Sequence, residues 1–130
     1  MNKRVVILGA LLWVWAVSLM AQDVPPGVVA AFRKGSSQEL DGYLGDKVEL
    51  ILENRSENVD RRAAAGKMSA FFSGNRVSGF TVNHQGKRDE SGFIVGTLVT
   101  ANGNFRVNCF FRKMADNYVI HQIRIDKTNE

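Results

Sequence analysis

Three side chains carry most of the chemistry that this 130-residue sequence offers: its single cysteine, Cys109, and its two histidines, His84 and His121. Imidazole titrates near neutrality, so either histidine suits a general base in an isomerase, dehydratase or hydrolase. Glu49, Glu53 and Asp60 are the acids that would assist it. Their positions argue against that use. Glu49 and Glu53 fall opposite Val48 and Leu50 in an alternating stretch and point outward, and Asp60 sits where a helix cap belongs. Two histidines 37 positions apart (84 to 121) and one cysteine make no zinc spacing. Nucleophile elbows and phosphate loops are absent from the sequence. The first reading is a non-catalytic domain that binds a small ligand or another protein, with no metal and no cofactor. A small enzyme using His84 or His121 as general base is the alternative.

The elements that would position these residues follow from hydrophobic period. Val24-Pro25-Pro26-Gly27 leads into a short apolar stripe, Val28, Val29, Ala31 and Phe32, which Gly35 stops. Ser36 and Glu39 have the spacing of a capping box, and Leu40, Tyr43 and Leu44 continue it as a second short helix ended by Gly45. Residues 47–53 (KVELILE) alternate as a strand, and residues 54–58 read as a polar connection. Behind the Asp60 cap, Ala64, Ala65, Met68, Phe71 and Phe72 form one face of a longer helix that ends at Ser73-Gly74-Asn75. From Arg76 onward the period changes to two. Four strands are predicted, 76–85, 91–101, 104–113 and 117–126, with an Asn102-Gly103 hairpin turn.

Face assignment follows from register. A two-residue Asn102-Gly103 turn pairs Ala101 with Asn104, Leu98 with Val107, Gly96 with Cys109 and Ile94 with Phe111. For the last hairpin, an odd loop groups Val119, His121, Ile123 and Ile125 with Phe105, Val107, Cys109 and Phe111 on one apolar face. An odd loop after strand 76–85 puts Phe80 beside Gly96 and His84 beside Gly92. The core face then carries a lateral row of Phe80, Gly96, Cys109 and His121. Two small residues in that row leave a hollow for a small, mostly apolar ligand, with Met68 and Phe72 as a lid and His84 nearby. In the competing reading Phe80 folds over Gly96, Cys109 is a small buried hydrophobe and His121 a packing residue. The opposite face mixes Phe93, Val95, Phe110, Tyr118 and Ile120 with Arg106 and Arg124. That mixture suits a homodimer mate or an envelope protein partner.

Composition limits the setting. Asn2-Lys3-Arg4, an apolar run over residues 5–19 and Ala21 describe a signal peptide over residues 1–21, with a single domain over 22–130. Cleavage would leave no membrane span and a periplasmic or secreted product. Of the 17 basic and 13 acidic residues, two basic ones lie in the signal, so the mature chain carries 15 against 13, a net charge of +2. Its basic pairs are scattered, so nucleic-acid binding is not expected. A lone cysteine makes no internal disulfide, so the fold must stand on its hydrophobic core.

The stretches AFRKGSSQELDGYLGDKVEL, FF, HQGKRDESGFIVGTL and RVNCFFRK…YVIHQIRID resemble a family of small exported bacterial proteins with no assigned function and a nuclear transport factor two-like, cystatin-like fold. The resemblance runs over residues 25–126. It implies an α+β roll, with N-terminal helices packed on a curved antiparallel sheet and a pocket at the open end of the resulting cone. Enzymes of this fold place a paired acid and histidine or aspartate inside the cone. No such motif can be matched residue by residue here, and fold alone does not confer activity.

Overall fold

The computed structural model describes residues 25–128; the signal segment expected over residues 1–21 lies outside them. Helix α1 (Pro26–Lys34) begins on a proline, whose missing N–H costs nothing in a first turn. It ends at Gly35, whose φ of 64° is the left-handed conformation that closes a helix. Ser36 caps the five-residue helix α2 (Ser37–Asp41), accepting from the Glu39 N–H at 3.1 Å. The Glu39 carboxylate does not complete the box: it reaches Lys34 at 3.2 Å instead. This helix stops at Gly42, and Leu44 already belongs to strand β1 (Leu44–Leu52).

The predicted polar connection after β1 is itself largely a strand. A tight turn at Glu53 and Asn54, both with positive φ, folds the chain back into β2 (Arg55–Asp60). This strand lies at the sheet edge with every side chain but Val59 exposed, so it carries no apolar alternation. Asp60 then caps helix α3 (Arg61–Gly74), accepting from the Ala63 N–H at 2.8 Å. Ala64, Met68 and Phe72, spaced four apart, are its buried face.

Strands β3 (Val77–Arg88), β4 (Ser91–Thr100), β5 (Gly103–Met114) and β6 (Asn117–Lys127) complete a six-stranded sheet of order β2-β1-β6-β5-β4-β3. The sheet is mixed rather than purely antiparallel, because β1 joins β6 in parallel. The α+β roll is thus the observed fold, with the helices on one face. Their apolar stripes meet Leu98, Phe105, Val107, Phe111, Ile123 and Ile125 in a single core.

The register corrects the expected row. Thr100 pairs with Gly103, so the turn residues are Ala101 and Asn102, and Gly103 alone takes a positive φ. Leu98 therefore faces Phe105, Gly96 faces Val107 and Ile94 faces Cys109, each shifted by two residues. An even shift keeps every side chain on its expected face. The other two hairpins also have two-residue loops, Asp89-Glu90 and Ala115-Asp116. The odd residue that the hydrophobic pattern demands lies inside the strands instead. One bulge falls between Val82 and His84, and another between Phe110 and Phe111 opposite His121.

Candidate functional site

Those two bulges decide where the expected site residues stand. Before the first, Phe80 pairs with Leu98 and is buried in the core. After it, His84 pairs with Val95, not Gly92, and is exposed on the outer face. The second bulge separates His121 from Cys109, whose cross-strand partner is Ile123. It also carries Ile120 into the core opposite Phe111, so Ile120 belongs to the packing and not to the outer face.

The hollow expected over Gly96 is occupied. A Cβ built on Gly96 would lie 2.5 Å from Phe80 Cζ and 2.7 Å from the Thr81 carbonyl oxygen. The Phe80 ring is held there by a stack on Phe32, centroids 5.2 Å apart, and Phe32 meets Phe72 edge-on at 6.2 Å. Met68 and Cys109 are fully buried beneath them. Burial pushes the Cys109 thiol far above its ordinary range, so no thiolate forms there. Met68, Phe72, Phe80, Gly96 and Cys109 are therefore a packed layer in which aromatic rings take the space a ligand was expected to fill.

His121 is half-buried in its bulge at the end of the sheet. Burial and then the Arg112 guanidinium lower its pKa below the usual 6.5, with Glu49 opposing them. It lines a depression of about 260 Å³. Lys87, Arg88, Ser91, Gly92, Phe93, Phe110 and Phe111 line this hollow with it; the side chains of Phe93 and Phe110 lie on the outer face, whereas the Phe111 ring is fully buried in the core. Sequence reasoning missed Gly92, Phe111 and Arg88 because only the bulge brings them to His121. Neither histidine makes a side-chain hydrogen bond to a carboxylate among the described residues, so no base-and-orienter pair is assembled. Nor do three or more His, Cys, Asp or Glu side chains converge there as metal ligands.

The outer sheet face is the other candidate. Phe93 and Val99 remain 36% and 37% exposed, and Val95 and Phe110 are half-buried beside them. Arg106 is exposed; Arg124 is held by Asp126 at 2.8 Å. Tyr118 leaves this face with Ile120: paired with Lys113 beyond the bulge, it packs half-buried against the core, donates to the Asp89 carbonyl at 3.5 Å and lies under Lys87 Nζ, 6.0 Å from the ring centre. Among the described residues no helix is long and apolar enough to cross a membrane.

Comparison with known proteins places this arrangement. A protein from Bacteroides ovatus ATCC 8483 is 62% identical, with a TM-score of 0.82 over 84% of this chain and 99% of its own. One from Bacteroides fragilis YCH46 is 68% identical, with a TM-score of 0.80 over 82% of this chain and 100% of its own. Both are described as DUF4783 family proteins. Fold alone is shared with a cystatin-like domain of unknown function from Nostoc punctiforme PCC 73102, at 11% identity and a TM-score of 0.63 over 81% of this chain and 73% of that one. Chains bearing the NTF2 name align similarly. No curated protein matches. The family model described as "Domain of unknown function (DUF4783)" matches residues 26–126, and the chain belongs to that family.

Proposed function

We propose that the protein is an exported, non-catalytic interaction domain that works through the outer face of its sheet, in the periplasm or outside the cell. The observation that carries this reading is the contrast between the two faces. The inner one is filled down to the Gly96 hollow, whereas the outer one leaves Phe93 and Val99 over a third exposed among arginines. An apolar patch interleaved with polar groups has the composition of an interface. The mate that fits best is a second copy. Arg106 and Asp126 are cross-strand neighbours on this face, so two copies related by a two-fold axis would present each group to its opposite. Export rests on the basic start and apolar run of residues 1–21. A small apolar ligand in the cone is not part of this reading, because side chains fill that space.

Light scattering of the chain from Gln22 onward, over a range of concentrations, tests the pairing. A mass of two chains that falls to one in Val95→Lys is the expected result. A single-chain mass at every concentration refutes it.

A further inference from the structure

We propose that the cleft between helix α3 and the β1–β2 hairpin is a binding site for a small apolar zwitterion, an α-amino acid with a hydrophobic side chain. It lies at the sheet edge, outside the packed interior and away from the outer face, so it does not depend on the pairing proposed above. Leu52 pairs with Arg55, and Leu50 with Glu57. Directly opposed residues share a face. Leu50 is buried in the core and Leu52 packs against it, so Arg55 and Glu57 stand on the same inner face, beside the helix. Helix α3 turns Lys67, Ala70 and Phe71 toward them, three and four residues apart on one stripe. Lys67 meets Glu57 at 2.9 Å and ties the helix to the edge strand. The cleft left between them has a volume of about 370 Å³.

Leu50, Leu52, Ala70 and Phe71 are the apolar part of the lining. The Phe71 ring is fixed by edge-on contacts with Phe72 at 5.8 Å and Phe105 at 5.2 Å. Two acids, Glu53 and Glu57, and two bases, Arg55 and Lys67, complete it. Glu57 and Lys67 neutralise each other. Glu53 and Arg55 stand on either side of Asn54, and among the described residues neither side chain has an ion pair or a hydrogen bond. Positive φ at Glu53 and Asn54 holds the turn tight, which fixes the two backbones that carry these charges. A zwitterion answers both of them. Arg55 takes its carboxylate through the guanidinium fork, Glu53 takes its ammonium, and its side chain covers Leu52 and Phe71. An anion would leave Glu53 unmatched, a cation would leave Arg55 unmatched, and a neutral apolar molecule would leave both.

Amide shifts of the isotope-labelled protein, followed by NMR, test this during titration with phenylalanine, N-acetylphenylalanine and phenylalanine amide. The acetylated probe keeps only the anion, and the amide only the cation. Saturable shifts at Leu52, Glu53, Arg55, Ala70 and Phe71 are expected. Phenylalanine should bind about threefold more tightly than either derivative, the worth of one exposed ion pair. Arg55→Gln should erase the preference over the amide, and Glu53→Gln the preference over the acetylated probe. Both side chains are exposed, so neither change disturbs the core. Val95→Lys should leave the binding intact, which separates it from the pairing of the outer face. The proposal fails if phenylalanine gives no saturable shift at these residues, if the three probes bind equally, or if either glutamine variant keeps the parent's preferences.

Discussion

Adding one methyl group at Gly96 is the most direct probe of a filled interior. The new carbon of Gly96→Ala would stand 2.5 Å from Phe80 Cζ, 2.7 Å from Phe80 Cε1 and 2.7 Å from the Thr81 carbonyl oxygen. An ordinary contact between heavy atoms needs about 3.5–4.0 Å, so something must move by about 1 Å. The ring has little freedom to do so, since Phe80 is buried and stacked on Phe32. The carbonyl is backbone of β3 and moves only with the strand. Overpacking of this kind costs about 1–3 kcal/mol. Replacing glycine restricts the unfolded chain and returns about 0.4–1 kcal/mol, so a net loss of about 1–2 kcal/mol is expected. In a domain of this size that lowers the melting temperature by about 4–8 °C per kcal/mol. Urea unfolding of Gly96→Ala measures it, and the same change in a Phe80→Leu background should cost less, because part of the clash is gone. A neutral or stabilising Gly96→Ala would mean that the space is empty after all, and the case for a sealed interior would collapse.

Two further outcomes are expected. Ala115, with φ 56°, holds a left-handed conformation that disfavours a Cβ, so Ala115→Gly should raise stability by about 1 kcal/mol in thermal melts; a loss would show that the turn is not strained. His121 has a folded pKa below its unfolded value of about 6.5, so the unfolded chain binds more protons and stability falls as pH drops below about 6.5. His121→Phe should flatten that part of a stability–pH profile, and an unchanged slope would place the titration elsewhere.

Much of the fold was legible because it rests on side-chain period. The Asp60 cap, the Ala64-Met68-Phe72 stripe and the inward set Phe105, Val107, Cys109, Ile123 and Ile125 are all readable from spacing. The expectation of an odd connection in the hairpin after strand 76–85 and in the last hairpin captured a true parity and misplaced it. Hydrophobic alternation reports that one residue is extra, but not whether it lies in the loop or in the strand. Asp89 and Ala115 accept positive φ in two-residue turns that their residue types do not advertise, and the extra residues became bulges near Asn83 and at His121. Hence His84 and Ile120 exchanged sides. Strand β2 was missed for a different reason: solvated on both faces except at Val59, it gives no contrast for a pattern to detect. The candidate site was the least legible part, since its walls come from β3, β4, β5 and β6 and meet only after the bulge has formed.

The parallel pairing of β1 with β6 bears on how the molecule is made. Leu44 lies beside Ile120, residues 76 positions apart (44 to 120). The first strand to leave the ribosome thus has its inner neighbour in the last. Until β6 is synthesised, β1 and β2 can form only an isolated hairpin, which is marginal in water, while β3, β4 and β5 can already meander together. Sheet completion waits for β6, and its long-range closure is a slow step. A chain that still lacks β6 has nothing to join β1 to the β5-β4-β3 meander, so the topology itself acts as a timer on folding.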